Sequence, residues 1–325
     1  EQQEAERQRD DQPTRGQRVN DRVEYMDPQG LEWHFFKDAL YCMSSVNSPA
    51  QPLPMEQPTM VRCLFLDKHK RVWVTTKEDA TVRLLTTDGQ LLGYLTPQGM
   101  LSRSYCSFGH PVYSITESTD GHLWLGTKPD GLFRLTERQG GSSPAFTVES
   151  ISGLEGISVY GVAEDQQGRL WVSTLGEGLA CVEHAADSQP TVLKGLPGYP
   201  ADVCQRLRHV HITRQGVLLA ATTEGLMVAK IDKDPKTMTF RRHTKDPNRS
   251  GSLSCNATMD IVETIDNRIF IATETGGISE ITSVDLLADT LTFRHLDMAS
   301  GLMPTDMTIS MTLTADGHLV VTSNT

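Results

Sequence analysis

The chain has 325 residues, a formal net charge of -11, and 22% charged against 38% hydrophobic side chains. That balance describes a folded globular protein. Its acidity argues against a nucleic-acid partner, which needs Lys and Arg clustered against phosphate. No apolar run approaches the roughly 18 residues that span a bilayer, so membrane attachment is expected only through segments outside this chain.

Residues 1–20 are charged and polar and are expected to be a mobile lead-in, with 21–325 forming a single domain. Asp21 to Met26, running on to Gly30-Leu31-Glu32-Trp33, reads as a worn repeat, matched to the stretch where Arg268-Ile269 leads to Gly277-Ile278. Residues 47–60 are proline-rich and polar, hence a surface connection.

Beyond it one pattern recurs. At Val159–Thr174 an apolar strand, a turn closing on Gly168 and a second apolar strand make a hairpin. Leu170, Trp171 and Val172 are consecutive, so their strand carries bulk on both faces and suits a sheet covered on both sides. The position of Trp171 is filled in turn by Trp73, Trp124, Trp171, Leu219, Phe270 and Val320, at steps of 51, 47, 48, 51 and 50 residues. Three residues after each stands a small hydroxyl: Thr76, Thr127, Thr174, Thr222, Thr273 and Ser323.

A fixed period with several short strands per unit is the signature of an all-β β-propeller, about 50 residues per blade. Counting the worn copy gives seven blades, with six as the alternative. The first and last are expected to be incomplete and to complete one another, which removes an exposed edge. Ser152-Gly153-Leu154, Gly195-Leu196, Ser250 to Leu253 and Ser300-Gly301-Leu302 mark crossovers between blades, with the leucine plugging the gap between sheets. Six cysteines without a CxxC pair read as small buried hydrophobes.

The pattern V-x-x-I-x-x-D-x-x-G-x-L-W-V-x-T-x-x-G-L, carried by Val112 to Thr127 and by Val159 to Leu179, resembles the two-component regulator propeller repeat. The loop Asp246-Pro247-Asn248 with Ser252-Leu253-Ser254 is similar to that family's inter-blade linker, and the likeness spans roughly 57–325. Departures are the missing tryptophan at Leu219, Phe270 and Val320, and Lys70 where the turn glycine stands elsewhere. The resemblance implies a periplasmic sensor region of a Bacteroides-type hybrid two-component system, detecting an oligosaccharide or other small ligand for a downstream kinase. It also implies that the chain is an excised piece of a longer protein, with a possible second propeller and dimer partner.

No catalytic constellation, metal site or cofactor motif stands out. His209-Val210-His211 puts two imidazoles on one strand face without a third ligand, and Asp120 and Asp165 sit at turns where their carboxylates bond to backbone. Just before each inner strand, at matched offsets, lie Thr59, His110, Gln205, Arg206, Asn256 and Asp306, a polar ring suited to a sugar at one mouth of the channel. Tyr105 or Tyr199 is expected to supply a stacking face. The readings that compete with a sensor are a protein-interaction platform and a propeller lyase or lactonase, because a propeller alone does not fix function.

Overall fold

The computed structural model describes residues 62–76, 79–87 and 89–296 and, outside them, the backbone of Val61 and of six further strands. Among the described residues there is no α-helix, only a 3-10 turn at Pro235–Thr237. The strands pair antiparallel with their sequence neighbours into seven sheets: the second has five strands, the seventh two and the other five have four each.

The first strand of each sheet lies innermost. These inner strands are Val23–Met26, Val61–Leu66, Val112–Glu117, Val159–Glu164, Leu207–Ile212, Thr258–Glu263 and Met307–Leu313. Each packs beside the next, and Met307–Leu313 packs beside Val23–Met26, so the ring closes around an axis. This is a β-propeller, as the repeat predicted.

The repeated anchors all fall on the second strand of a sheet. Leu123–Thr127, Leu170–Thr174 and Ile269–Thr273 are buried at every position, as are Arg71–Thr76 and Val217–Thr222. Each described tryptophan packs across to the following sheet: Trp73 joins Val112, Leu125 and Phe133; Trp124 joins Val159 and Val172; Trp171 joins Leu207, Leu218 and Met227. Burying one such side chain stabilises the ring by roughly 2–3 kcal/mol. The crossover leucines Leu154, Leu196 and Leu253 are buried as expected.

The indole N–H of each tryptophan needs an acceptor once it leaves water. Trp73 Nε1 donates to Asp67 at 2.8 Å, Trp124 to Ser118 at 2.9 Å and Trp171 to Asp165 at 2.9 Å, each acceptor being the first residue of the hairpin turn. Asp165 also accepts from the backbone N–H of Gln167 and Arg169 and from Arg169 Nε at 2.8 Å. It is thus a turn-former, as its sequence position implied, and an anchor's partner besides.

The first sheet departs from expectation. Val23–Met26 is its inner strand and Glu32–Phe36 its second, and it holds four strands of its own. Trp33 therefore stands on the anchor strand. Stepping back 50 residues from Trp73 lands on Val23, one strand too early, because this repeat is only 40 residues long from Trp33 to Trp73. Both described strands of the seventh sheet come from its own repeat. Residues 1–20 lie outside the described residues. Cys106, Cys181, Cys204 and Cys255 are free thiols, two of them fully buried.

Candidate ligand site at the channel mouth

All seven inner strands begin with the same irregularity. Val112 pairs with Thr127 and Ser114 with Gly126, leaving Tyr113 as an extra residue with nothing opposite. The same β-bulge isolates Arg62, Tyr160, Arg208 and Met259, and the backbone register puts Glu24 and Ile309 at the equivalent place in the first and seventh sheets. A bulge turns one side chain out of the ladder and aims it elsewhere. Here the described ones meet in pairs between neighbouring sheets. The Arg62 guanidinium carbon lies 3.7 Å from the Tyr113 ring centroid, Tyr113 and Tyr160 lie 5.0 Å apart at 43°, and Arg208 Nη1 meets Met259 Sδ.

The loops that follow the second strands of the third and sixth sheets border this ring. Lys128 Nζ stands 5.8 Å from the Tyr113 ring, and Arg208 is 3.7 Å from Glu274. Arg62 Nε is shut off from solvent and makes no hydrogen bond.

Of the six residues expected to form a polar ring, His110, Gln205, Arg206 and Asn256 are described. Thr59 and Asp306 lie outside the described residues. His110 is half-buried, its Nδ1 2.6 Å from Asp130 and its ring 4.5 Å from Phe133, so its imidazole is committed to packing. Gln205 and Asn256 join neighbouring sheets through their backbone: Gln205 O accepts from Gly176 and Gly178 N–H, and Asn256 O accepts from Gly225 N–H. The Asn256 side chain accepts from Lys245 N–H at 2.7 Å. Arg206 O accepts from Thr223 N–H, and the side chains of Gln205 and Arg206 remain exposed.

The two tyrosines expected to stack do not serve. Tyr199 is buried against Phe240 at 5.2 Å and spends its hydroxyl on Cys204 O, because the crossover packs it between sheets. Tyr105 is exposed but leans on Tyr94 and donates to Asp79 at 2.5 Å. Burial pushes the Asp79 carboxyl up, yet the hydroxyls of Thr76, Thr81 and Tyr105 outweigh it and hold it below its ordinary value. The aromatic pair at the mouth is Tyr113 and Tyr160, which the sequence reading missed. A signal for it exists: Val112 and Ile115, both buried, are three residues apart where a regular strand would bury every second one.

Titratable groups elsewhere in the channel serve as staples. Glu117 accepts from Lys68 N–H at 3.0 Å, Glu164 from Thr119 N–H at 2.8 Å and Glu263 from Arg214 N–H at 3.1 Å, each across to the preceding sheet's turn. His211 Nε2 lies 3.2 Å from Glu263 and His209 Nδ1 3.8 Å from Asp260. Burial, reinforced by His209, holds His211 below the ordinary imidazole value. Among the described residues no three His, Cys, Asp or Glu side chains group as metal ligands, and no helix is long and apolar enough to cross a membrane.

Residues 107–128 and 153–176, the hairpins of the third and fourth sheets, match the family model of the two-component regulator propeller. These are two-component regulator propeller repeats. Both Tyr113 and Tyr160 lie within them. No curated protein sequence matches the chain. Among solved structures it is similar to the extracellular domain of a hybrid two-component system from B. thetaiotaomicron, at TM-score 0.67 and 17% identity, covering 94% of this chain and 38% of that one. It is similar also to virginiamycin B lyase from Staphylococcus aureus, at TM-score 0.67 and 14% identity over 95% and 93% of the two chains. A third likeness is to the Cps50 (Swd1) propeller domain of Myceliophteria thermophila, at TM-score 0.60 and 11% identity over 93% and 96%. At such identities the shared feature is the fold. This chain thus spans well under half of the two-component domain it resembles, with its two-component regulator propeller repeats in the third and fourth sheets.

Proposed function

We propose that this propeller is a non-catalytic ligand-sensing domain of a hybrid two-component regulator, acting outside the cytoplasm in the periplasm. It binds an oligosaccharide at the channel mouth and passes occupancy to a kinase elsewhere in the protein. A second propeller and a dimer partner belong to the same proposal. The observation that carries it is a contrast within the repeat. Framework positions of the inner strand stay aliphatic, as in Val112, Val159 and Leu207 or Ile115, Val162 and Val210, while the bulge position holds Arg62, Tyr113, Tyr160, Arg208 and Met259 in turn. Positions that only hold a ring together have no reason to diversify together at one end. Tyr113 and Tyr160 offer adjoining aromatic faces, with Arg62 and Lys128 beside them and Gln205 and Arg206 at the rim. Thr59, His110, Asn256 and Asp306 are proposed as supporting positions.

Calorimetric titration of the chain against a panel of oligosaccharides tests this. Tyr113→Ala and Tyr160→Ala should each weaken binding by about fivefold or more, since an aromatic stack contributes roughly 1 kcal/mol beyond its buried area. A panel that stays silent sinks the proposal. An interaction platform is the second reading, supported by Ile265 at 92% and Val284 at 99% exposure. A lyase reading draws on the likeness to the Staphylococcus aureus enzyme; turnover of an antibiotic lactone by the purified chain would favour it.

A further inference from the structure

We infer that the ligand carries an acid group: the class that fits is an oligosaccharide containing uronic acid, its ring on Tyr113 and Tyr160 and its carboxylate at Arg62. This rests on the sugar-binding reading and adds a charge to it.

Arg62 lies face-down on Tyr113, at 3.7 Å. A stacked guanidinium keeps its edge, where all its N–H donors point, available for a planar two-oxygen partner. Its Nε is enclosed and bonded to nothing in the protein, so no protein acceptor takes up the charge there. Arginines enclosed elsewhere in this molecule are treated differently. Arg71 meets Asp67 and Glu137 at 2.7 and 2.6 Å, Arg134 meets Glu149 at 2.9 Å and Arg169 meets Asp165 at 2.8 Å. Arg83, whose Nε is also unbonded, donates through Nη1 to Thr81, and Thr81 donates to Asp79. Arg62 has no such carboxylate among the described residues. Leaving a half-buried cation unneutralised is costly, and a chain of net charge -11 has acids to spare for it.

A second cation, Lys128, faces the same tyrosine at 5.8 Å. On the far side of the ring Arg208 is already neutralised by Glu274, which confines the positive arc to the tyrosine platform.

The test titrates the 325-residue chain with trisaccharides of galacturonate and glucuronate, with their methyl esters, and with a neutral oligosaccharide panel. The acid form should bind about tenfold or more tighter than its ester, as for a hydrogen bond to a charged partner. Arg62→Gln should bring acid and ester together. Unchanged melting of the variant shows that it does not act through folding. Equal binding of acid and ester by the unaltered chain, or binding of neutral sugars only, overturns the acid assignment and leaves the sugar reading standing. If nothing binds, both fall.

Discussion

Lys70 occupies a backbone conformation that its counterparts fill with glycine. At the fourth residue of each hairpin turn Gly121, Gly168 and Gly216 have φ of 92°, 77° and 79°; Asn267 holds 64° and Lys70 62°. The turn geometry demands the left-handed region, where a side chain with a Cβ is strained by about 1 kcal/mol or more. Lys70 is exposed and its side chain braces nothing described. Lys70→Gly should therefore stabilise the protein by about 0.5 kcal/mol, the gain being trimmed by glycine's greater freedom when unfolded. Chemical denaturation reads this out, and a loss of stability would show that the turn is not what sets the strain. The glycine was legible in sequence; the indole acceptor was not. Yet the chain records it: Asp or Ser opens the turn where tryptophan follows, at 67, 118 and 165, and Thr does so before Leu219 and Phe270, at 213 and 264. A side chain without an N–H asks for no strong acceptor.

Single strands show where sequence reading stops. Second strands were legible because burial on both faces leaves an unbroken apolar run. The inner strands were identified, but their bulge was not, since one extra residue changes which face every preceding side chain takes. Tyr113 and Tyr160 consequently passed for ordinary strand residues, and the stacking role fell to Tyr105 and Tyr199. The outer strand Phe240–His243 carries a pH signature that no pattern announces. His243 is buried with Nε2 unbonded, and burial, helped by Arg241 and Arg249, pushes its pKa down to about 4. A histidine depressed in the folded state binds its proton more readily when unfolded, so stability is full above the unfolded value near 6.5 and falls as pH drops from there toward about 4. One such group gives a slope of up to about 1.4 kcal/mol per pH unit. His211 is shifted the same way, so His243→Gln should reduce the slope between pH 6 and 5 without abolishing it. The depressed carboxylates Glu137 and Glu280, held down first by Arg71 and Arg268, act only as pH falls below their ordinary range. Urea melts at stepped pH check this; an unaltered slope in the variant would reject the assignment.

Across the whole molecule, stability resides between sheets more than within them. Trp124 belongs by hydrogen bonding to the third sheet, yet its apolar neighbours include Val159, Leu170 and Val172 of the fourth. The staples run the same way, from Lys68 to Glu117 and from Thr119 to Glu164. A ring assembled so should not lose one sheet alone. Trp124→Ala opens a cavity at such a boundary and should cost about 3–5 kcal/mol. Native-state hydrogen exchange should then show the amides of Leu123–Thr127 and Leu170–Thr174 losing protection together, while Ile269–Thr273, two boundaries further on, changes least among the local openings. The alternative, in which each sheet is a self-sufficient hairpin stack, predicts exposure of Leu123–Thr127 with Leu170–Thr174 unmoved. The two outcomes separate because Leu170–Thr174 shares no hydrogen-bond ladder with the substituted strand but packs in one cluster with its indole.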